Sequence, residues 1–414
     1  MTRVRDGRYL LVTAIALEVL AIFFVHWIDT RGYMDTEIYR LGARAWLNGY
    51  EIYGGDLTPE TPDSGTLPFI YPPFAAIAFT PLMWLSEDGA VVAVAVLSHL
   101  AILVTAYSFA RSSSYLAPRA GLVAVATAAL MPFCTLIEPA RDTINYGQIN
   151  LVLMALVAAD VLLPRTRWPR GLLVGLAAAL KLTPLGFLLV FLLRRDYRAV
   201  SLSSCTFAAT VLLGLLAAPD DSADWWLDEM WSTGEDMGAV YAGNLTLRSL
   251  LAKQSLEGTT LDVLWLGGSV LLLVLGVLAM RYALRVRNLP LALVFNAVLV
   301  LLVSPISWSH HWVWAGPALA LLFAMAWRNR WYGVQLSVLF GVLVVLIGPH
   351  WYLPYTDDKE LQWTFSQQVV GNAYTLLGIG FLVSGAVAHE LLRRRRAAAA
   401  RPEPATARVP SSGG

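Results

Sequence analysis

The chain is poor in charge. Only 14% of its 414 residues are Asp, Glu, Lys or Arg, against about 25% in soluble domains. That shortage leaves no room for a large water-soluble domain. Histidine is scarce as well, with six in the whole sequence. No His-x₃-His pair and no Cys/His cluster shows metal-ligand spacing, so no metal is expected. The two cysteines, Cys134 and Cys205, lie in or beside apolar runs. They read as core thiols, and no disulfide framework is implied. There is no glycine-rich phosphate loop to cradle a nucleotide, and no other cofactor motif.

What the chain has in abundance is apolar length. It is 57% hydrophobic, with a mean hydropathy of +0.59. Runs of roughly 17 to 25 apolar residues, the length that crosses a bilayer, recur from end to end. The fold class is therefore an all-α polytopic membrane protein. The first run, residues 9–28, is followed by no small-residue cleavage site and reads as a retained helix.

Basic residues near helix ends mark the cytoplasmic side. They cluster at Arg3/Arg5/Arg8, Arg111/Arg119, Arg165/Arg167/Arg170, Arg194/Arg195/Arg198, Arg281/Arg285/Arg287, Arg328/Arg330 and Arg393 to Arg396. Acidic, aromatic-rich stretches fall between them at 29–68, 219–246 and 350–370. One path satisfies both patterns, with both termini cytoplasmic and about 12 crossings in the plasma membrane. On that path 69–85 does not cross but lies as a juxtamembrane or re-entrant helix. The run 171–193, basic at both ends and interrupted at "LKLTPLG", becomes two short helices meeting near the outer face. Residues 1–392 form one membrane domain, with 29–88 its first external loop. Residues 393–414 form a basic tail whose Ala/Pro/Ser/Gly-rich part is expected to be disordered.

Ionisable groups at membrane depth are expensive, and each raises a functional question. In loop 1, Ile38, Leu41, Ala45 and Trp46 recur at helical spacing, which predicts an amphipathic helix starting near Asp35. Asp35 is either a helix-dipole charge or a functional acid. "IEPARDTINYGQINLVL" carries Arg141, Asn145, Gln148 and Asn150 between two apolar spans. These serve either helix–helix hydrogen bonding or a polar cavity. Lys181 has no carboxylate near it in sequence, so it either snorkels to the interface or holds an anion. In "SPISWSHHWVWAGP", His310 and His311 stand among Trp308, Trp312 and Trp314. They belong to an aromatic belt or to a site, and 100° helical spacing lets only one of them face a shared cavity. All these groups fall at one level, the outer face. Together they suggest chemistry on a membrane-anchored phosphate substrate.

In order along the chain stand "YRLGARAWLNGYEIYGGDL", "FIYPPFAAI", "EPARDTINYGQINLVL", "GLAAALKLTPLGF", "GNLTLRSLL" and "SPISWSHHWVW". This series resembles the actinobacterial polyprenyl-phosphate-mannose-dependent α-1,2-mannosyltransferases of glycosyltransferase family 87, within the GT-C superfamily. The likeness covers nearly the whole chain to about residue 392.

The resemblance implies a GT-C fold with juxtamembrane helices in the first external loop. It implies a polyprenyl-phosphate-mannose donor, a phosphatidylinositol mannoside or lipomannan acceptor, and transfer on the extracytoplasmic face. The family's loop-1 acid falls on Asp35, followed by Tyr39; Asp29 lies too close to helix 1. A β-linked donor and an α-linked product mean inversion, which needs one base. Asp35 is expected as that base, with the facing member of His310/His311 orienting it or the acceptor. Lys181 and Arg141 are expected on the donor phosphate. Tyr39, Tyr71, Asn145, Gln148, Asn150, Trp308 and Trp312 are expected to bind substrate. Two other readings stay open: arabinofuranosyl transfer from a decaprenyl-phosphate donor, and transport or flipping of a lipid-linked sugar.

Overall fold

The computed structural model describes residues 2–28, 32–53, 68–113, 116–231 and 238–399. Among them the chain is helical throughout, without a β-strand. One isolated antiparallel bridge joins Asn244 to Trp308.

Five helices are long and apolar enough to cross a bilayer by themselves: α1 (Thr2–Ile28), α4 (Glu87–Ser112), α10 (Tyr197–Ala217), α13 (Gly258–Arg285) and α18 (Ala373–Ala399). Between α1 and α4 come α2 (Met34–Asn48) and the short α3 (Pro73–Phe79). A sixth span arises if α5 (Ala120–Leu136) and α6 (Glu138–Tyr146) count as one helix bent by 71°. The other apolar helices are shorter. They include α7 (Asn150–Leu162), α8 (Leu172–Leu180), α9 (Leu188–Arg194), α14 (Leu289–Val303), α15 (Ala315–Asn329) and α16 (Tyr332–Ile347), and three more short helices are α11 (Pro219–Asp224), α12 (Leu247–Ala252) and α17 (Phe365–Gly371). Helices thus occur wherever the hydropathy places a crossing; among the described residues five, or six with the bent pair, are long and apolar enough to span by themselves, which supports a polytopic protein without fixing the count at 12.

Helix α14 shows why a short helix is enough. Apart from Asn296 it is apolar all round, and twelve of its fifteen residues are buried, so it serves as the bundle's centre rather than as a lipid-facing rod. The long helices carry the lipid-facing surface, with Leu213 and Leu216 of α10 and Val263 and Leu266 of α13 exposed. Cys134 is buried, as expected. Cys205 is exposed, because it lies on the outer side of α10, and so is not a core thiol.

The run 171–193 is broken as its sequence suggests. Helix α8 stops at Leu180, Lys181 is extended, and a tight turn over Thr183–Phe187 leads into α9. Pro184 lacks an N–H, so the ladder cannot continue through it. The exposed backbone is repaired from α14. Asn296 accepts from the Val190 amide at 3.1 Å and donates to the Gly186 carbonyl at 2.9 Å.

Loop 1 contains the expected amphipathic helix. Helix α2 buries Ile38, Tyr39, Ala43 and Ala45 against α3. At the far end, α18 continues through the basic cluster to Ala399, with Glu390 paired to Arg393 and Arg394 at 2.8 Å. The tail expected from residue 393 therefore begins as helix. Its remainder, 400–414, lies outside the described residues.

Candidate active site

Three interruptions of the helical ladder meet at one place. They are the break at Lys181, the turn between α6 and α7, and residues 304–308 beyond α14. The turn fixes Asp35. Gly147 sits at φ +71°, and a Cβ there would lie 2.0 Å from Thr36 Oγ1. Only glycine allows that approach. Thr36 donates to the Gly147 carbonyl at 3.2 Å, and the Tyr33 amide donates to the Asn145 carbonyl at 3.1 Å. The first turn of α2 is thereby docked on the turn, and Gln148 Nε2 donates to Asp35 Oδ1 at 2.5 Å. Gln148 is aimed from behind. Its Oε1 accepts from the Tyr39 hydroxyl at 3.0 Å and from Tyr71 at 3.3 Å, and the Ile149 amide donates to Tyr39 at 3.2 Å.

The third interruption brings in the histidines. Beyond Val303 the chain runs extended and pairs with residues 243–245. The Leu245 amide donates to the Ser307 carbonyl at 2.9 Å, and Ser309 donates to Gly243 at 2.8 Å. Asn244, fully buried, accepts from the Ser307 amide at 3.1 Å. A tight turn over Ser309–Trp314 follows. His310 is held through its carbonyl, which accepts from Thr143 at 2.8 Å and Asn150 at 3.3 Å. His311 Nε2 lies 2.9 Å from Lys181 Nζ, and Lys181 also donates to Asn150 Oδ1 at 3.3 Å.

These groups surround one cavity of about 830 Å³. Asp35, Tyr71, Gln148, Lys181, Trp308, His310 and His311 all line it. Both histidines do so, contrary to the expectation that only one would. They lie in a 3₁₀ turn after an extended stretch instead of sitting mid-helix, and their rings meet edge-on at 4.9 Å. Asn150 stands behind Lys181, and Tyr39 behind Gln148, so both act through a neighbour. Arg141, Asn145 and Trp312 are not in the wall. Arg141 donates to the Leu346 carbonyl at 3.1 Å. Asn145 shares its helix face one turn later and is fully buried. Trp312 packs on Tyr374. Sequence reasoning missed Tyr241, Trp351 and Glu360, which also line the cavity.

The electrostatics divide the site. Burial pushes the Asp35 carboxyl up to about 7, although the Lys181 ammonium and the Gln148 amide pull the other way. Such a group titrates at working pH, as a general base requires. Burial, Lys181 and His310 together hold the His311 imidazole well below its ordinary value. His311 is then neutral, and its Nε2 is the acceptor for Lys181. The hydrogen bond aimed at Asp35 comes from Gln148, so of the two roles expected for a histidine, orienting the base or the acceptor, the first falls to an amide. Among the described residues, no group of three His, Cys, Asp or Glu is placed to hold a metal.

Fold and site together define a polytopic membrane protein with an acid and a lysine in one shared cavity. Comparison with known proteins makes the class specific. The model of glycosyltransferase family 87 matches residues 69–305. A "polyprenol-phosphate-mannose-dependent alpha-(1-2)-phosphatidylinositol mannoside mannosyltransferase" of Mycobacterium tuberculosis is 37% identical over 84% of this chain and 83% of its own. A protein of the same name from Mycolicibacterium smegmatis is 36% identical over 84% and 82%. A "phosphatidylinositol pentamannoside mannosyltransferase" from the latter organism is 33% identical over 85% and 86%. No solved structure matches the chain. The chain belongs to glycosyltransferase family 87.

Proposed function

We propose that this glycosyltransferase moves mannose from polyprenyl-phosphate-mannose to a phosphatidylinositol mannoside or lipomannan acceptor, forming an α-1,2 linkage with inversion. The names of its relatives supply the polyprenol-phosphate-mannose donor and the phosphatidylinositol mannoside acceptor. The observation that carries the mechanism is the pairing within one cavity of a carboxyl poised near neutrality, Asp35, with Lys181.

In this reading Asp35 removes the proton of the acceptor hydroxyl as its oxygen attacks the anomeric carbon. The carbon–oxygen bond to the donor phosphate breaks on the opposite face, and the polyprenyl phosphate departs with the electron pair. Gln148 orients the base. Lys181, steered by His311 and Asn150, meets the charge that grows on the leaving phosphate, where fixed charge is worth most. An apolar gap lined by Leu153, Met154, Phe187 and Val300 adjoins the cavity, sharing Thr183 and His311 with it. At about 50 Å³ and walled largely by buried side chains, it gives His311 an apolar backing inside the bundle. The segments lining the cavity are those that the distribution of basic residues assigns to the extracytoplasmic side, so we place transfer there, with both termini cytoplasmic.

The test is turnover by purified protein in nanodiscs, given polyprenyl-phosphate-mannose and a phosphatidylinositol mannoside, with product linkage read by NMR. We expect an α-1,2-linked mannose. A product with retained β-configuration, or none at all, would sink the reading.

A further inference from the structure

One wall of the cavity takes no part in the chemistry above. Tyr241, Trp308 and Trp351 line it from three separate segments. Their rings meet edge-on, with Tyr241 5.6 Å from Trp308 and 6.0 Å from Trp351. Tyr355 closes the cluster, 5.7 Å from Trp351.

Trp351 is anchored from behind. Its indole N–H donates to Glu138 Oε1 at 2.9 Å, and the other carboxylate oxygen accepts from the Tyr374 hydroxyl at 2.6 Å. His350 Nε2 lies 3.7 Å from the same carboxylate. Glu138 is only 2% exposed, and a carboxylate so buried is tolerated only when its oxygens are hydrogen-bonded. Two glycines make room. A Cβ on Gly243 would fall 2.8 Å from the tip of the Trp351 ring, and one on Gly348 would fall 2.7 Å from Glu138 Cγ.

Tryptophan has a single N–H, and here it is spent on Glu138. What Trp351 offers the cavity is therefore apolar ring surface without a donor. That suits the C–H face of a pyranose and does nothing for a phosphate. Asp357, Asp358 and Glu360, from the same stretch of chain as Trp351, also line the cavity; Asp357 is paired with Lys359 at 3.6 Å, and the remaining carboxylate charge disfavours an anion there. On the phosphate-holding wall Lys181 comes from another segment altogether, whereas His311 stands three residues after Trp308.

We propose that Trp351 is the platform on which the acceptor's sugar stacks, and that Glu138 is the residue that positions it. Trp351 then sets acceptor recognition, while Lys181 sets donor recognition.

The proposal rests on the transferase reading, so the assay begins with the wild-type full chain in nanodiscs, polyprenyl-phosphate-mannose and a phosphatidylinositol mannoside. No transfer by the wild type would sink both readings together. With transfer established, Trp351→Leu should raise the acceptor KM about tenfold, the size of one lost aromatic contact, and leave the donor KM within about twofold. Glu138→Ala should reproduce that split. Glu138→Gln, which keeps an acceptor for the indole N–H and a donor for Tyr374, should restore most of the acceptor affinity. An unchanged acceptor KM in Trp351→Leu, or a rise in donor KM alone, would overturn this inference and leave the transferase reading standing. If Glu138→Ala fails to reach the membrane, Trp351→Leu decides by itself.

Discussion

Replacing Asp35 by Asn removes the proposed base and changes little else in shape. The amide still fits beside Gln148, so the cavity should survive. Two effects of opposite sign follow. The first is on rate: loss of a positioned base costs about 10² to 10⁴ in turnover. The second is on stability. The Asp35 carboxyl stands at about 7 in the folded protein, against roughly 3.9 in an unfolded chain. A group with a raised folded pKa binds more protons when folded. Its contribution therefore leaves stability highest below about pH 4, lets it fall as pH rises to about 7, and is constant above that. Three units correspond to about 4 kcal/mol at full burial. Asp35 keeps part of its hydration, so we expect about 1–2 kcal/mol. Asn never ionises and never bears this cost. Asp35→Asn should thus be inactive yet melt higher than wild type at pH 8, with the gap closing by pH 4. The assays are initial mannosyl transfer and thermal unfolding in detergent across that range. Wild-type turnover itself should rise through a limb near pH 7, from about a tenth of its plateau at pH 6. A variant that keeps more than a tenth of wild-type turnover would refute the base assignment. One that melts lower than wild type at pH 8 would refute the electrostatic argument.

Three further outcomes follow from the same geometry. Lys181→Ala should raise the donor KM severely and Lys181→Arg only partly, since the guanidinium keeps the charge but not the contacts with His311 and Asn150; initial rates against donor concentration measure this, and an unchanged Lys181→Ala would return the lysine to the interface. Gln148→Glu should move the pH limb of turnover upward, because a like charge beside Asp35 favours its protonated form; a pH–rate profile with an unmoved limb would deny that Gln148 faces the base. Gly147→Ala should cost about 2 kcal/mol or more, as the new Cβ needs positive φ and meets Thr36; a melting temperature equal to wild type would contradict the docking of α2 on the α6–α7 turn.

Much of this site was legible because its residues are wrong for their surroundings. Asp35, Gln148, Lys181 and the histidine pair all stand out in a chain otherwise made for lipid, and all five line the cavity. What sequence could not give was the face. Arg141 and Asn145 lie one helical turn apart on α6 and therefore point the same way, into the bundle, whereas Tyr146 beside them opens into the cavity. As long as 138–150 read as a polar hairpin, no periodicity separated these faces. The histidines were misjudged for the related reason that their segment was taken as helix. Tyr241, Trp351 and Glu360 come from acidic, aromatic stretches without a period of two or 3.6, so nothing in those stretches singled them out. The short helices hide the count of crossings. Hydropathy sees apolar length, but α14 is apolar because protein surrounds it on every side.

The three interruptions that build the site also explain why it can exist in a membrane. Backbone that leaves the helical ladder at this depth must be satisfied by protein, and is tolerated where it lines a cavity. Two of these interruptions are served by a buried asparagine, and a third asparagine links them. Asn296 bonds both Gly186 and Val190 across the break after Lys181. Asn244 takes the Ser307 amide of the extended stretch. Asn150, at the start of α7, spans the gap between the other two, donating to the His310 carbonyl and accepting from Lys181. An amide side chain suits this work because it donates and accepts at once without bringing charge. The same three breaks free the polar groups that catalysis needs, so the repair of the backbone and the placing of Asp35, Lys181 and the histidines are one construction. A continuous helix in any of the three positions would have satisfied its own backbone and left no cavity between them.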